Sequence, residues 1–311
     1  MADRMMLLDT ASLYFRAFFG VPDSIVSPDG TPVNAVRGLG DMIARLTTDY
    51  EATHLVACWD DDWRPAWRVE RIPSYKAHRV VEAVPGGVDV EETPPGLVAQ
   101  IPRIRELLDV LGVAVVGAPE AEADDVIGTL ATGAPMPVDI VTGDRDLFQL
   151  VDDAAGVRLI NTARGMSKLE LVTEATVVGK YGVLPQQYAD FATLRGDASD
   201  GLPGVAGVGE KTAAGLLQTF GTLDGVLAAA ESGEPGMSAG VRAKLAAAAD
   251  YLAVAPEVVR VRRELPLGFD AASAKLRPLE PAARERLERL GAEWNLGGTV
   301  GRLEAALDRT A

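Results

Sequence analysis

The chain has 311 residues, 48% of them hydrophobic and 24% charged, with a formal net charge of −15. That length fills one large core or two smaller ones, and the apolar runs fall far short of the ~20 residues a membrane span needs. The lone cysteine, Cys58, excludes an intrachain disulfide and a thiolate metal cluster; with no secretory pattern in "MADRMMLLD", a reducing cytoplasm is the expected compartment.

In chain order, the apolar runs "RMMLLD" (4–9), "THLVACWD" (53–60), "GVAVVGA" (112–118), "VDIVTGD" (138–144) and "GVRLIN" (156–161) predict buried parallel strands. Helical patterns over 34–49, 97–111 and 122–131 lie between them. The alternation predicts an α/β fold, a twisted, mostly parallel sheet flanked by helices, over residues 1–170. Residues 80–96, rich in Gly, Pro and acid without periodicity, read as a mobile loop. From 171 to 311 the pattern is helical, alanine-rich and punctuated by glycine.

Charge is spread unevenly over this plan. Residues 231–311 hold 12 acidic and 12 basic side chains, so residues 1–230, with 33 acidic and 18 basic, carry the whole excess. An acidic chain repels a polyanion unless bound divalent cations reverse the local sign.

Asp9, Asp60 and Asp144 each stand at or just past the carboxyl end of a predicted strand, the edge where open α/β sheets bind ligands. One such aspartate reads equally well as a helix cap. Three of them, beside "EAEADD" (120–125), read as a site. A helix N-terminus welcomes acids, but four carboxylates in six residues exceed what it needs. Glu122 and Asp125 share a helical face, while Asp124 points elsewhere on an ideal helix but could reach the same ion through water near the helix terminus. "TGDRD" adds Asp146 to Asp144, and "RGDASDG" adds Asp197 and Asp200. Oxygen donors with almost no histidine favour Mg²⁺ or Mn²⁺ over Zn²⁺, and two such ions suit phosphoryl-transfer chemistry.

The stretch "WRPAWRVERIPSYKAHR" (63–79) sets Arg64, Arg68, Arg71, Lys76 and Arg79 among Trp63, Trp67 and Tyr75. Cations for phosphates and rings for unpaired bases make it a candidate single-strand contact surface. In "LPGVAGVGEKTAAGLLQTFG" (202–221), Gly207 and Gly209 leave backbone N–H groups open to phosphate ahead of a helix N-terminus. Glu210 between Gly209 and Lys211 excludes a Walker loop.

In this order, "LLDTASLYFRAFF", "CWD", "YKAHR", "EAEADD", "TGDRDLFQL", "GDASDGLPGVAGVGEKTA" and "VRRELPL" resemble the bacterial 5′ nucleases. That family comprises 5′→3′ exonuclease/flap endonuclease domains found at the front of DNA polymerase I and as stand-alone proteins. The resemblance implies a metal-dependent, structure-specific nuclease acting at DNA 5′ ends, flaps or gaps, with removal of RNA primer strands among its roles. A separate DNA polymerase and a ligase are the implied partners, for a monomer without a membrane. It places one ion among Asp9, Asp60, Glu122, Asp124 and Asp144 and a second among Asp146, Asp197 and Asp200, with Asp125 supporting both. Lys76 and Arg79 are implied at the base of a helical arch spanning 63–96, against the scissile phosphate. Phe15, Arg16, Arg64, Arg68 and Tyr75 are implied DNA contacts. So is a helix–hairpin–helix around 185–221, through Gly204, Gly207, Gly209, Lys211 and Thr212 with K⁺ at the hairpin. The rivals are a related metal-dependent ribonuclease, which lacks the glycine hairpin, and a non-catalytic junction-binding protein of the same fold.

Overall fold

The structure is a computed structural model, and it describes residues 3–309. The described residues form eight strands: β1 (Met5–Asp9), β2 (His54–Cys58), β3 (Val80–Glu82), β4 (Val90–Glu91), β5 (Ala114–Val116), β6 (Val138–Thr142), β7 (Val157–Asn161) and β8 (Glu170–Val172). Six build one sheet in the order β5-β2-β1-β6-β7-β8, parallel except for the antiparallel edge strand β8. Strand order changes direction at β1, so the carboxyl ends of β2, β1 and β6 lie side by side. That edge is where a doubly wound sheet places its ligand.

Side-chain alternation assigns the two faces. Met5, Leu7, Val56, Ile140 and Leu159 pack on one, and Met6, Leu8, Leu55, Val141 and Ile160 on the other. The second face is covered by α1 (Thr10–Gly20), α2 (Asn34–Asp49) and, beyond α3 (Ala66–Arg71) and α4 (Pro95–Val98), by α5 (Ile101–Val110). α6 (Ala123–Thr132) covers the first face through Val126, Ile127 and Leu130.

Helices follow from there: α7 (Glu174–Tyr181), α8 (Tyr188–Arg195), α9 (Glu210–Phe220), α10 (Leu223–Ser232), α11 (Ala239–Ala247), α12 (Ala249–Val259), α13 (Pro281–Glu293) and α14 (Thr299–Asp308). The core under α6 continues without a break into this region through Phe148, Tyr188, Phe191, Val205 and Leu217. α13 and α14 return to the opposite face, where Leu287, Leu290, Leu303 and Leu307 join the core of α2 and α5. The last two helices thus pack with the sheet, across the expected boundary at 170/171.

Residues 80–96, expected as a mobile loop within the helical arch of 63–96, instead form the small β3–β4 hairpin and the start of α4. Arg64 holds them down, pairing with Asp89 at 2.5 Å, and Trp63 Nε1 donates to the Asp89 carbonyl. No single helix among the described residues is long and apolar enough to cross a membrane.

Candidate active site

Asp9 ends β1 and caps α1, its Oδ1 accepting from Ser12 N and its Oδ2 from Thr142 Oγ1 (2.6 Å). Asp60 follows β2 and accepts from Ala123 N at the start of α6 (2.8 Å). Asp144 follows β6 and accepts from Asp146 N (2.8 Å). These backbone and hydroxyl donors aim three carboxylates into one cleft of about 790 Å³, which Asp124, Glu122 and Asp197 also line. Asp60, rather than Asp61 or Asp62, reaches the cleft: Asp61 is exposed and Asp62 accepts from Arg64 N.

The carboxylates fall into two groups that share Asp144. In the first, burial and then Asp60 push Asp9 up to about 7. Burial, Asp144 and Asp9 hold Asp124 well above the carboxylate range. In the second, burial, Asp144, Asp200 and Asp197 do the same to Asp146, whose buried Oδ1 has no hydrogen-bond partner. Asp146 and Asp200 do not line the cleft themselves but act on it through Asp144 and Lys76. Like charges this close favour protons or cations between them. All donors are oxygen, one is orphaned and buried, and the set fits a hard divalent cation. Among the described residues no three carboxylates already close on a common point.

Lys76 and Arg79 line the same cleft. Lys76 Nζ pairs with Glu122 Oε2, while Glu122 Oε1 accepts from Tyr75 OH (2.6 Å) and Arg68 (2.8 Å). Although burial opposes it, Lys76 and Arg68 hold Glu122 below its usual range. Arg79 spans the second group, bonding Asp200 Oδ1 (3.0 Å) and the Ser199 carbonyl (2.7 Å).

Several expected roles change here. Asp125 is fully buried, with both oxygens held by the Arg68 fork at 2.7 and 2.8 Å and by Arg262 N, so it is a structural anchor rather than a ligand. Arg68 and Tyr75 are buried for the same reason and are not a DNA-facing surface: two interior carboxylates require a buried cation and donor. Arg64 is spent on Asp89 and on the Tyr75 carbonyl. Gly204 is buried, and its positive φ of +65° lets it pass the Arg195 backbone, where a Cβ would lie 2.5 Å away. Phe15 and Arg16 do line the cleft, and Gly207, Gly209 and Lys211 are exposed, with Thr212 half-buried beside them. Lys244 Nζ rests on the Gly207 carbonyl at 2.9 Å, where a monovalent cation was expected.

Residue patterns missed Arg145 and Arg195, each 3.1 Å from Asp197 Oδ2; against burial, Ser199 and then Arg145 keep that carboxylate below its usual range. Both arginines lie inside stretches quoted above, "TGDRD" and "RGDASDG". The signal was present, but pairing across 52 residues was not.

Fold and site together define a class: a hydrolase centre of oxygen donors on an open α/β sheet, joined to a helix–hairpin–helix region. Residues 4–182 match the family model of the 5′-3′ exonuclease N-terminal resolvase-like domain, and residues 183–282 that of the 5′-3′ exonuclease C-terminal SAM fold. A 5′-3′ exonuclease of Streptomyces coelicolor is 58% identical over 97% of this chain and 99% of its own. One from Mycobacterium tuberculosis is 49% identical over 99% of both. The T5 D15 protein co-crystallised with metal ions shares the fold at TM-score 0.65, with 15% identity over 98% of this chain and 100% of its own. The chain belongs to the 5′-3′ exonuclease family and is a nuclease, a hydrolase of phosphodiester bonds.

Proposed function

We propose that the chain is a divalent-metal-dependent, structure-specific 5′ nuclease, hydrolysing DNA at 5′ ends and flap junctions during replication and repair. The observation that carries the reading is the pair of carboxylate groups joined through Asp144, with Lys76 and Arg79 facing one group each. Asp9, Asp60, Asp124 and Asp144, with Glu122 at the edge, would hold one Mg²⁺ or Mn²⁺, and Asp146, Asp197 and Asp200 a second. Bound there, such ions activate a water and neutralise a leaving oxygen.

The chain's own residues do the rest. Thr142 and Ser12 fix Asp9, and Ala123 N fixes Asp60, so the donors are oriented before substrate arrives. Lys76 and Arg79 present positive charge to the scissile phosphate. Phe15 offers a ring to an unpaired base and Arg16 a guanidinium to phosphate. The exposed backbone at Gly207 and Gly209, with Lys211, fits a duplex phosphate at the start of α9. K⁺ at that hairpin would have to displace Lys244 from the Gly207 carbonyl. A separate polymerase and ligase as functional partners, and a monomeric state, complete the reading.

The test is product mapping on a 5′-flap DNA labelled at its 5′ end, with Mg²⁺, Mn²⁺ or EDTA. Metal-dependent release of the intact flap supports the reading. Release of mononucleotides only narrows it to an exonuclease, and binding without cleavage in either metal leaves a junction-binding protein.

A further inference from the structure

The stretch "VRRELPL" is not used by the cleft, yet its backbone is fixed to the back of the site. Arg262 N donates to Asp125 Oδ1 (2.9 Å), Val261 N donates to Gln149 Oε1 (3.1 Å), and the Val258 carbonyl accepts from Arg68 Nε (3.2 Å). Gly128 of α6 permits this: a Cβ there would lie 2.6 Å from the Arg262 carbonyl. With the backbone held, Arg260, Arg262 and Arg263 line a groove of about 730 Å³ outside the cleft.

The charge of this groove is open. Arg260 pairs with Asp190 at 2.8 Å, but neither Arg262 nor Arg263 forms an ion pair among the described residues. Arg262 lies over the Trp67 ring at 4.1 Å, and Arg263 donates only to the Gln149 carbonyl (2.9 Å). Burial lowers the pKa of Arg263, and Asp152 offsets this only in part. With Arg260 already paired to Asp190, Arg262 and Arg263 face one lining acid, Glu264. In a chain of net charge −15, two arginines without an ion pair in one groove suit an anion. The planar forks of arginine match phosphate oxygens in pairs.

We propose that the groove of Arg260, Arg262 and Arg263 is an accessory phosphodiester-binding site, holding nucleic-acid backbone outside the catalytic cleft. It rests on reading the chain as a DNA nuclease. Because Arg262 N bonds Asp125, a strand held there is tied directly to the start of α6. The backbone is either that of the displaced 5′ arm or that of the flanking duplex, and length separates them.

The experiment measures binding of 5′-flap DNA in Ca²⁺ across a salt series, with either the arm or the duplex lengthened in steps. It compares the wild type, Arg262→Gln/Arg263→Gln, Arg262→Lys/Arg263→Lys, and Arg277→Gln/Arg289→Gln as a charge-matched control at exposed arginines elsewhere. The glutamine variant should lose the affinity gained with whichever segment reaches the groove. Its log–log salt slope should fall by about 1 to 2, the value of one or two phosphate contacts. The lysine variant should keep most of the slope, and cleavage at saturating substrate in Mg²⁺ should stay within about twofold of wild type. Equal binding by the wild type and the glutamine variant at every length, or the same loss in the control, overturns the proposal. Cleavage by the wild type tests the nuclease reading separately.

Discussion

Asp124 and Asp125 are adjacent carboxylates with opposite surroundings. Asp125 lies inside the Arg68 fork, whereas Asp124 meets only carboxylates and a distant lysine. Removing one member of a buried pair leaves the other unpaired, at a cost of about 3 kcal/mol or more. Asp125→Asn should therefore lower stability by that order in chemical denaturation. Asp124→Asn should leave metal-free stability unchanged or raised, and abolish metal-dependent cleavage. A stable, active Asp125→Asn would remove the anchor role.

The same residues set the response to pH. Asp9 is raised from 3.8 to about 7 by burial and by Asp60, so the native state binds its proton more tightly than the unfolded chain does. Its contribution is complete below about pH 4 and is lost as pH rises through about 7. In EDTA the melting temperature should fall over that interval. Mg²⁺ should offset the fall, because a cation replaces the proton between the carboxylates. A melting temperature that rises across the interval in EDTA would contradict the raised value.

Among elements, the glycine hairpin separates structure from contact. Gly204 needs its positive φ and has no room for a Cβ, while Gly209 has φ −93° and nothing within 4 Å of an added Cβ. Gly204→Ala should thus lower the melting temperature. Gly209→Ala should melt like wild type and weaken binding of duplex DNA several-fold, since the new methyl stands where phosphate would approach. Equal binding by Gly209→Ala would place the duplex elsewhere. The arch segment shows the complementary case: its arginines look like a contact face in sequence, yet Arg68 and Arg64 satisfy internal acids.

For the whole molecule, the C-terminal helices decide the stability of the N-terminal sheet. Leu287, Leu290, Trp294 and Leu303 pack with α2 and α5 although the family models end at residue 282. Deleting residues 281–311 should expose that face and give an aggregating or unfolded chain, read by circular dichroism and gel filtration. A folded, soluble truncation would show that α13 and α14 are dispensable.

The sequence by itself determined the parallel sheet, the helix over 34–49 and the position of Asp9, Asp60 and Asp144 at the sheet edge. Buried strands are written as continuous apolar runs, and the carboxyl edge follows from chain direction. It also marked the glycine hairpin, because positive φ leaves a compositional trace. Only tertiary structure decided which charges neutralise each other. Arg68 with Asp125, Arg145 with Asp197 and Lys76 with Glu122 lie 57, 52 and 46 residues apart. Residue types announce charge, but burial and distance set what that charge does, and neither is local in sequence.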